Sequence, residues 1–217
     1  MKSLAPSALV LAVLFAGGAF AQQSAPQTLS NGLQRVQGSK LALAYVRPGT
    51  VWSKYRTVML QPLQIPPNVR NAAPPGAFPQ FGESYVIPDS DIAKLKQAFA
   101  SSFQNALTNA GFKLVTTPQA DTLIVYPEIK KILLNAPVQD TRETYSGMGF
   151  TVSQGGGSIT MAAVLADGGT KSVIAEVEDR QYGSNIYGLN NSVTNFAQAR
   201  DAFDGWANDL VNALQSK

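Results

Sequence analysis

Two apolar stripes at helical spacing, one mid-chain and one C-terminal, bracket a block of alternating β-type sequence, and each stripe needs an apolar partner to be buried. Ile92, Leu95, Phe99, Phe103, Ala106 and Ala110 recur at three- and four-residue steps, as do Phe196, Ala199, Phe203, Trp206, Leu210 and Leu214. Asp89 or Ser90 is placed to cap the first helix, Asp91 adds charge that its dipole favours, and Gly111 followed by Phe112 reads as a left-handed stop. Ser192 or Thr194 is expected to cap the second helix, which Gly205 weakens by about 1 kcal/mol against alanine.

Between the stripes, residues 158–166 and 171–180 alternate apolar with polar and are joined by Asp167-Gly168-Gly169-Thr170. This reads as a hairpin whose glycines supply positive φ. Shorter β-type runs occupy residues 55–63, 113–116 and 122–134. Pro127 in the last of these points to an edge strand or a bulge, and Ile132-Leu133-Leu134 to a register shift or burial on both faces. The expected fold is α+β in two layers: a mainly antiparallel sheet of about five strands with two amphipathic helices packed on one face. Phe99, Phe103, Phe203 and Trp206 are its expected core.

Cohesion has to come from that burial, because the 217 residues contain no cysteine and hence no disulfide. Histidine is absent too. Without either residue, Ser-His-Asp and Cys-His catalysis, zinc-thiolate sites and histidine-based metal centres are excluded together. The formal net charge of +3 is dispersed along the chain, so nucleic acid is not an expected partner. No cofactor is expected.

Residues 1–21 carry Lys2, an apolar block over residues 9–15, and Ala19-Phe20-Ala21. Ala19 and Ala21 form the small-x-small pair that signal peptidase recognises, which predicts cleavage after Ala21. Pro6, Gly17 and Gly18 interrupt a block already short of the roughly 20 apolar residues of a membrane span. With no cysteine at the boundary, the mature chain is expected to have neither a transmembrane nor a lipid anchor. Residues 22–40, rich in Gln, Ser and Asn, read as a mobile leader without assigned structure, and residues 41–217 as one domain.

Residues 62–88 contain Pro62, Pro66, Pro67, Pro74, Pro75, Pro79 and Pro88, too dense for a helix or central strand, and predict a long loop. Its Phe78, Phe81 and Tyr85, together with Tyr182 and Tyr187 in the polar stretch after the hairpin, are the candidate ligand contacts. Packing onto the core is the competing explanation for all five. The glycines of residues 145–157 lack the spacing and Lys-Ser/Thr ending of a phosphate loop and read as a connection. Glu176 and Glu178 share a strand face at about 7 Å, a separation that glycoside-cleaving carboxylates use, but a solvated strand face explains them as well. Asp201, Asp204 and Asp209 read as a solvated helix face.

Tyr45-Val46-Arg47-Pro48-Gly49, then Ser53-Lys54-Tyr55, the hairpin of residues 160–180, and Ala202-Phe203-Asp204-Gly205-Trp206-Ala207 together resemble a bacterial domain-of-unknown-function family. Its members are exported envelope proteins, many of them lipoproteins. The resemblance runs from about residue 43 to the C-terminus and implies an α+β domain with no catalytic residues to transfer. The chain departs from the family in its missing lipidation cysteine and its proline-rich insert. The expected function is therefore a non-catalytic periplasmic or secreted interaction or assembly protein whose partner is another envelope protein. A small-molecule or glycan-binding module is the alternative, and a carboxylate-dependent hydrolase built on Glu176 is a third reading.

Overall fold

The computed structural model describes residues 25–75, 83–140, 151–153, 157–183, 188–190 and 192–216. The expected export signal with Ala19 and Ala21 lies outside the described residues, as do Phe78, Phe81, Tyr187 and most of the glycine-rich stretch. The described elements are β1 (Gln34–Arg35), β2 (Leu43–Val46), β3 (Thr57–Leu60), β4 (Glu83–Ser84), α1 (Asp89–Asn109), β5 (Lys113–Leu114), β6 (Thr122–Leu133), β7 (Gln139–Asp140), β8 (Thr151–Ser153), β9 (Ser158–Asp167), β10 (Val173–Tyr182), β11 (Gly188–Asn190) and α2 (Ser192–Gln215).

The class is α+β, but the sheet is larger and more mixed than expected. Seven strands run in the order β1-β2-β10-β9-β6-β3-β5, and two small two-stranded pairings, β11-β8 and β4-β7, stand apart. β3 pairs in parallel with both β5 and β6. For β5 the cause is α1: it carries the chain from β3 to β5 as a crossover, and a crossover returns the next strand parallel.

α1 ends as its sequence reads. Gly111 takes φ +88°, its amide donates to the Thr108 carbonyl and that of Phe112 to Leu107, the paired bonds of a Schellman stop. Its start differs from expectation. Pro88 is the cap residue with no side-chain bond, while the Asp89 carboxylate accepts from Arg70 and Asp91 from Lys94. The side chains of residues 192–194, where the second cap was expected, lie outside the described residues.

Phe99, Phe103, Phe203 and Trp206 are all buried in one apolar core over a single face of the sheet. The Phe99 and Phe203 rings meet edge to face, 5.6 Å apart, and join the two helices. Ala106 and Ala110 are only partly covered, whereas Leu107, outside the expected stripe, is fully buried.

Pro127 does not mark an edge: β6 has neighbours on both sides. The Pro127 carbonyl accepts from the Gln64 amide on the β3 side, beyond the point where β3 has ended at Leu60, so its missing N–H costs the sheet no ladder bond with β3. The bulge lies between Ile129 and Lys131, and the shift it causes explains the broken alternation through Leu133.

The leader and the proline-rich segment also carry more structure than the sequence shows. Leu33 is fully buried, β1 pairs with β2, and the Tyr45 hydroxyl donates to the Pro26 carbonyl, so residues 25–36 lie against β2. Within residues 62–88, Leu63, Ile65, Val69, Ala72 and Ile87 are buried, and Asn71 bridges to Val86.

At the hairpin turn, Gly168 and Gly169 do not take positive φ; Lys171 does, at +62°. Gly168 is needed for space, since a Cβ there would sit 2.4 Å from the Gln119 carbonyl oxygen. Gly205, by contrast, faces open space on a helix. The same substitution should therefore have opposite signs: Gly205→Ala is expected to stabilise by about 1 kcal/mol and Gly168→Ala to destabilise by about 1–3 kcal/mol, both read from urea unfolding midpoints.

Candidate functional site

Asp167, at the last position of β9, is 4% exposed and collects five hydrogen bonds. Oδ1 accepts from the Gly169 and Thr170 amides and from the Thr170 hydroxyl, a side-chain turn of the kind aspartate forms before glycine. Oδ2 accepts from the Lys54 ammonium at 2.5 Å and from the buried Tyr55 hydroxyl at 3.0 Å. A 3-10 turn, Trp52–Lys54, delivers Lys54 and Tyr55 to this point, and Gly49 at φ +78° turns the chain after Arg47. Arg47 itself donates from Nε and Nη2 to the Val173 carbonyl.

Burial pushes the Asp167 carboxyl up, but bonds from Lys54, Thr170 and Tyr55 more than offset this and hold it well below the usual carboxylate range. Tyr55 is pushed up to about 12, by burial first and then by its bond to Asp167. The bond to Asp167 raises Lys54 despite its partial burial. All three groups are thereby locked in their ordinary protonation states. The cluster forms a clamp between the turn of the hairpin and the β2–β3 connection.

Asp179 forms a second clamp at the other end of β10. It is 9% exposed and accepts from the Ala42 amide, the Gln181 side chain and the Trp206 indole N–H at 2.8 Å. The hairpin, the chain before β2 and α2 meet on this one carboxylate.

A cavity of about 300 Å³ opens where α1 and α2 pass the ends of β6, β9 and β10. Leu95, Ile132, Leu134, Ile159, Phe196 and Ala199 give it apolar walls. Gly157 and Gly183 close its strand end: the Gly183 amide donates to the Gly157 carbonyl, and a Cβ on Gly157 would sit 2.3 Å from the Leu133 carbonyl oxygen. Tyr182, 66% exposed, stands at the mouth, and the Arg180 guanidinium lies 4.6 Å above its ring.

Of the ligand contacts expected from sequence, Tyr182 alone lines this cavity among the described residues. Tyr85 is half-buried and lines neither this cavity nor the one of about 350 Å³ beside Lys54. The Glu176 carboxylate accepts from the Asn31 amide group, and neither Glu176 nor Glu178 lines either of these two cavities. Among the described residues no three acidic side chains converge as a metal site. Sequence reasoning missed the Lys54–Tyr55–Asp167 cluster. Its signal was the short motif Ser53-Lys54-Tyr55, which no helix or strand period explains.

The model of a family described as protein of unknown function (DUF3313) matches residues 24–210. The chain belongs to that family. Residues of the short motifs singled out in the sequence fall on the two clamps: Lys54 and Tyr55 on Asp167, Trp206 on Asp179. No curated protein matches the chain in sequence. Among solved structures it is similar to the PelC dodecamer from Paraburkholderia phytofirmans, at 11% identity over 80% of this chain and 97% of that one, TM-score 0.41. It is also similar to a Xanthomonas campestris protein of family DUF330, at 14% identity over 76% and 88%, TM-score 0.40. A Helicobacter pylori homolog of neuraminyllactose-binding hemagglutinin matches at 10% identity over 78% and 89%, TM-score 0.38. Likeness at this level bears on neither the activity nor the assembly of the DUF3313 chain.

Removing the Asp167 carboxylate strands a buried hydroxyl and two amides. Asp167→Ala is expected to cost about 3 kcal/mol, the low end for a broken buried pair, because the half-exposed Lys54 returns to water. The raised pKa values of Tyr55 and Lys54 contribute stability that is complete below their unfolded values and is lost as pH rises through the folded ones. Tm should therefore fall between pH 10.0 and about 12, and less steeply in Tyr55→Phe. The lowered Asp167 value acts in the opposite direction, stabilising above the ordinary carboxylate range. Equal alkaline slopes for wild type and Tyr55→Phe would remove the clamp from the stability account.

Proposed function

We propose that this protein is a non-catalytic binding protein of the bacterial envelope, and that the apolar cavity at the open end of the sheet is where an apolar group docks. The observation that carries the reading is the cavity itself: apolar walls around about 300 Å³, the lower end of ligand-pocket sizes, with a few polar side chains at the rim. The absence of cysteine and histidine supports it, as does the protonated lock on Lys54 and Tyr55. A second reading, docking onto another envelope protein, draws on the uncovered back of the sheet. There Tyr126, 46% exposed, lies beside its register partner Val164.

The neutral dye N-phenyl-1-naphthylamine should brighten on binding the wild-type protein and not Ala199→Phe, whose ring fills the cavity. Circular dichroism of the variant checks that it folds. Equal brightening of both proteins would place the dye elsewhere and end the cavity reading. Envelope residence predicts that osmotic shock releases a form beginning at Gln22, measured by intact mass. Crosslinking in that fraction should give an adduct that Tyr126→Arg loses. A full-length mass confined to the cytoplasmic fraction would overturn the location.

A further inference from the structure

We infer that the helix-free face of the sheet binds a second copy of this chain, face to face, about a two-fold axis that runs across the strands. This rests on the second reading above, which puts a partner on that face, and it names the partner.

Strand register fixes what the face displays. Ile159, Met161, Ala163 and Leu165 of β9 lie in the helix-side core, so Thr160, Ala162 and Val164 point the other way. Directly paired residues share a face, which sets three rows across β10, β9 and β6. The first row is Glu176, Val164 and Tyr126, the second Glu178, Ala162 and Glu128, the third Arg180, Thr160 and Lys131. Successive rows lie about 7 Å apart, two residues of strand. Charge is thereby sorted along the strands: acids occupy the first two rows and bases the third, where the bulge adds the exposed Lys130 next to Lys131. The β9 side chains are small, which leaves room for the long charged ones on either side to lean over them towards an opposing surface.

Among the described residues Glu178, Arg180 and Lys131 have no ion-pair partner. Arg180 leans away from Glu178: its Nε and Nη2 donate to the Ser158 hydroxyl, and its guanidinium lies 4.6 Å from the centre of the Tyr182 ring. Glu128 pairs with Lys130 at 3.1 Å, but the two side chains are 41% and 45% exposed, so the pair gains little and can exchange partners. A two-fold axis across the strands, between the second and third rows, reverses strand direction and lays each acidic row on the other copy's basic row. Glu178 then meets the partner's Arg180, and Glu128 the partner's Lys131, each twice by symmetry. An axis along the strands would set Glu178 against Glu128 and Arg180 against Lys131, like charge on like. Charge therefore selects one of the two ways in which this face can meet itself. Three strands over about eight residues give a footprint on the order of 400 Å². That is about half of what a standard interface buries on each partner, so the association is weak and reversible.

Sedimentation equilibrium of the purified protein at low salt should show monomer and dimer in exchange at protein concentrations on the order of tens of micromolar, shifting to monomer as salt screens the pairs. Glu178→Arg and Arg180→Glu should each weaken association tenfold or more, because each sets like charges face to face. An equimolar mixture of the two variants should recover a dimer of one of each, and the double variant should recover it with itself. That recovery also shows that the single variants fold. A wild-type protein that stays monomeric at low salt, single variants that associate as the wild type does, or a mixture that fails to recover would overturn the inference. In the crosslinked osmotic-shock fraction the expected adduct has twice the chain's mass. An adduct of another mass that Tyr126→Arg still loses, with a monomeric wild type, would overturn the second copy and leave the envelope-partner reading standing.

Discussion

The structure depends on two helices burying their apolar stripes against one face of a single sheet. With no disulfide available, this contact carries the cohesion. Phe99 and Phe203, each almost fully buried, meet edge to face between the helices, while Leu123, Val125 and Ile129 of β6 lie in the same core. Each such side chain contributes about 1.5–3 kcal/mol by leaving water. Among the described residues, the other face of the sheet is covered by residues 25–36 near β2, where Tyr45 and Glu176 receive them.

Two buried aspartates then hold the long hairpin in register with its surroundings. Asp167 ties the turn to Lys54 and Tyr55, and Asp179 ties the far end to Trp206 and to the Ala42 amide. A buried carboxylate is costly alone and tolerable when every lone pair is occupied. That requirement accounts for two of the short motifs: Lys54 and Tyr55 supply donors to Asp167, and Trp206 supplies one to Asp179. The Asp167 cluster and the apolar cavity lie at opposite ends of the hairpin, while Gln181 links the Asp179 cluster to the cavity wall.

The elements written in local sequence were legible. The stripes of α1 and α2, the Gly111 stop and the strand–turn–strand of β9 and β10 follow from periods of 3.6 and 2 and from glycine placement. The glycines of the hairpin turn misled in detail, because Gly168 is required by the approach of the Gln119 carbonyl from another segment and not by its own φ. Pro127 misled for the same reason: whether a missing N–H matters depends on where the neighbouring strand ends. Of the candidate site, Tyr182 was expected in the polar stretch after the hairpin, whereas it is the last residue of β10, at the edge of the cavity. Lys54, Tyr55 and Asp167 were not read as a cluster, since a gap of 112 residues between Tyr55 and Asp167 has no local pattern.

By itself the chain's order of residues determined its class, its two helices, its central hairpin and the chemistries closed to it by the lack of cysteine and histidine. Only the tertiary structure decided the parallel pairing of β3 with β5 and β6, the docking of residues 25–36, the aspartate clamps and the cavity between the helices and the ends of β6, β9 and β10. The physical reason is range: helical and strand periods are set by neighbours within a turn or a pleat. Strand order, buried hydrogen-bond partners and cavities arise where segments far apart in sequence meet.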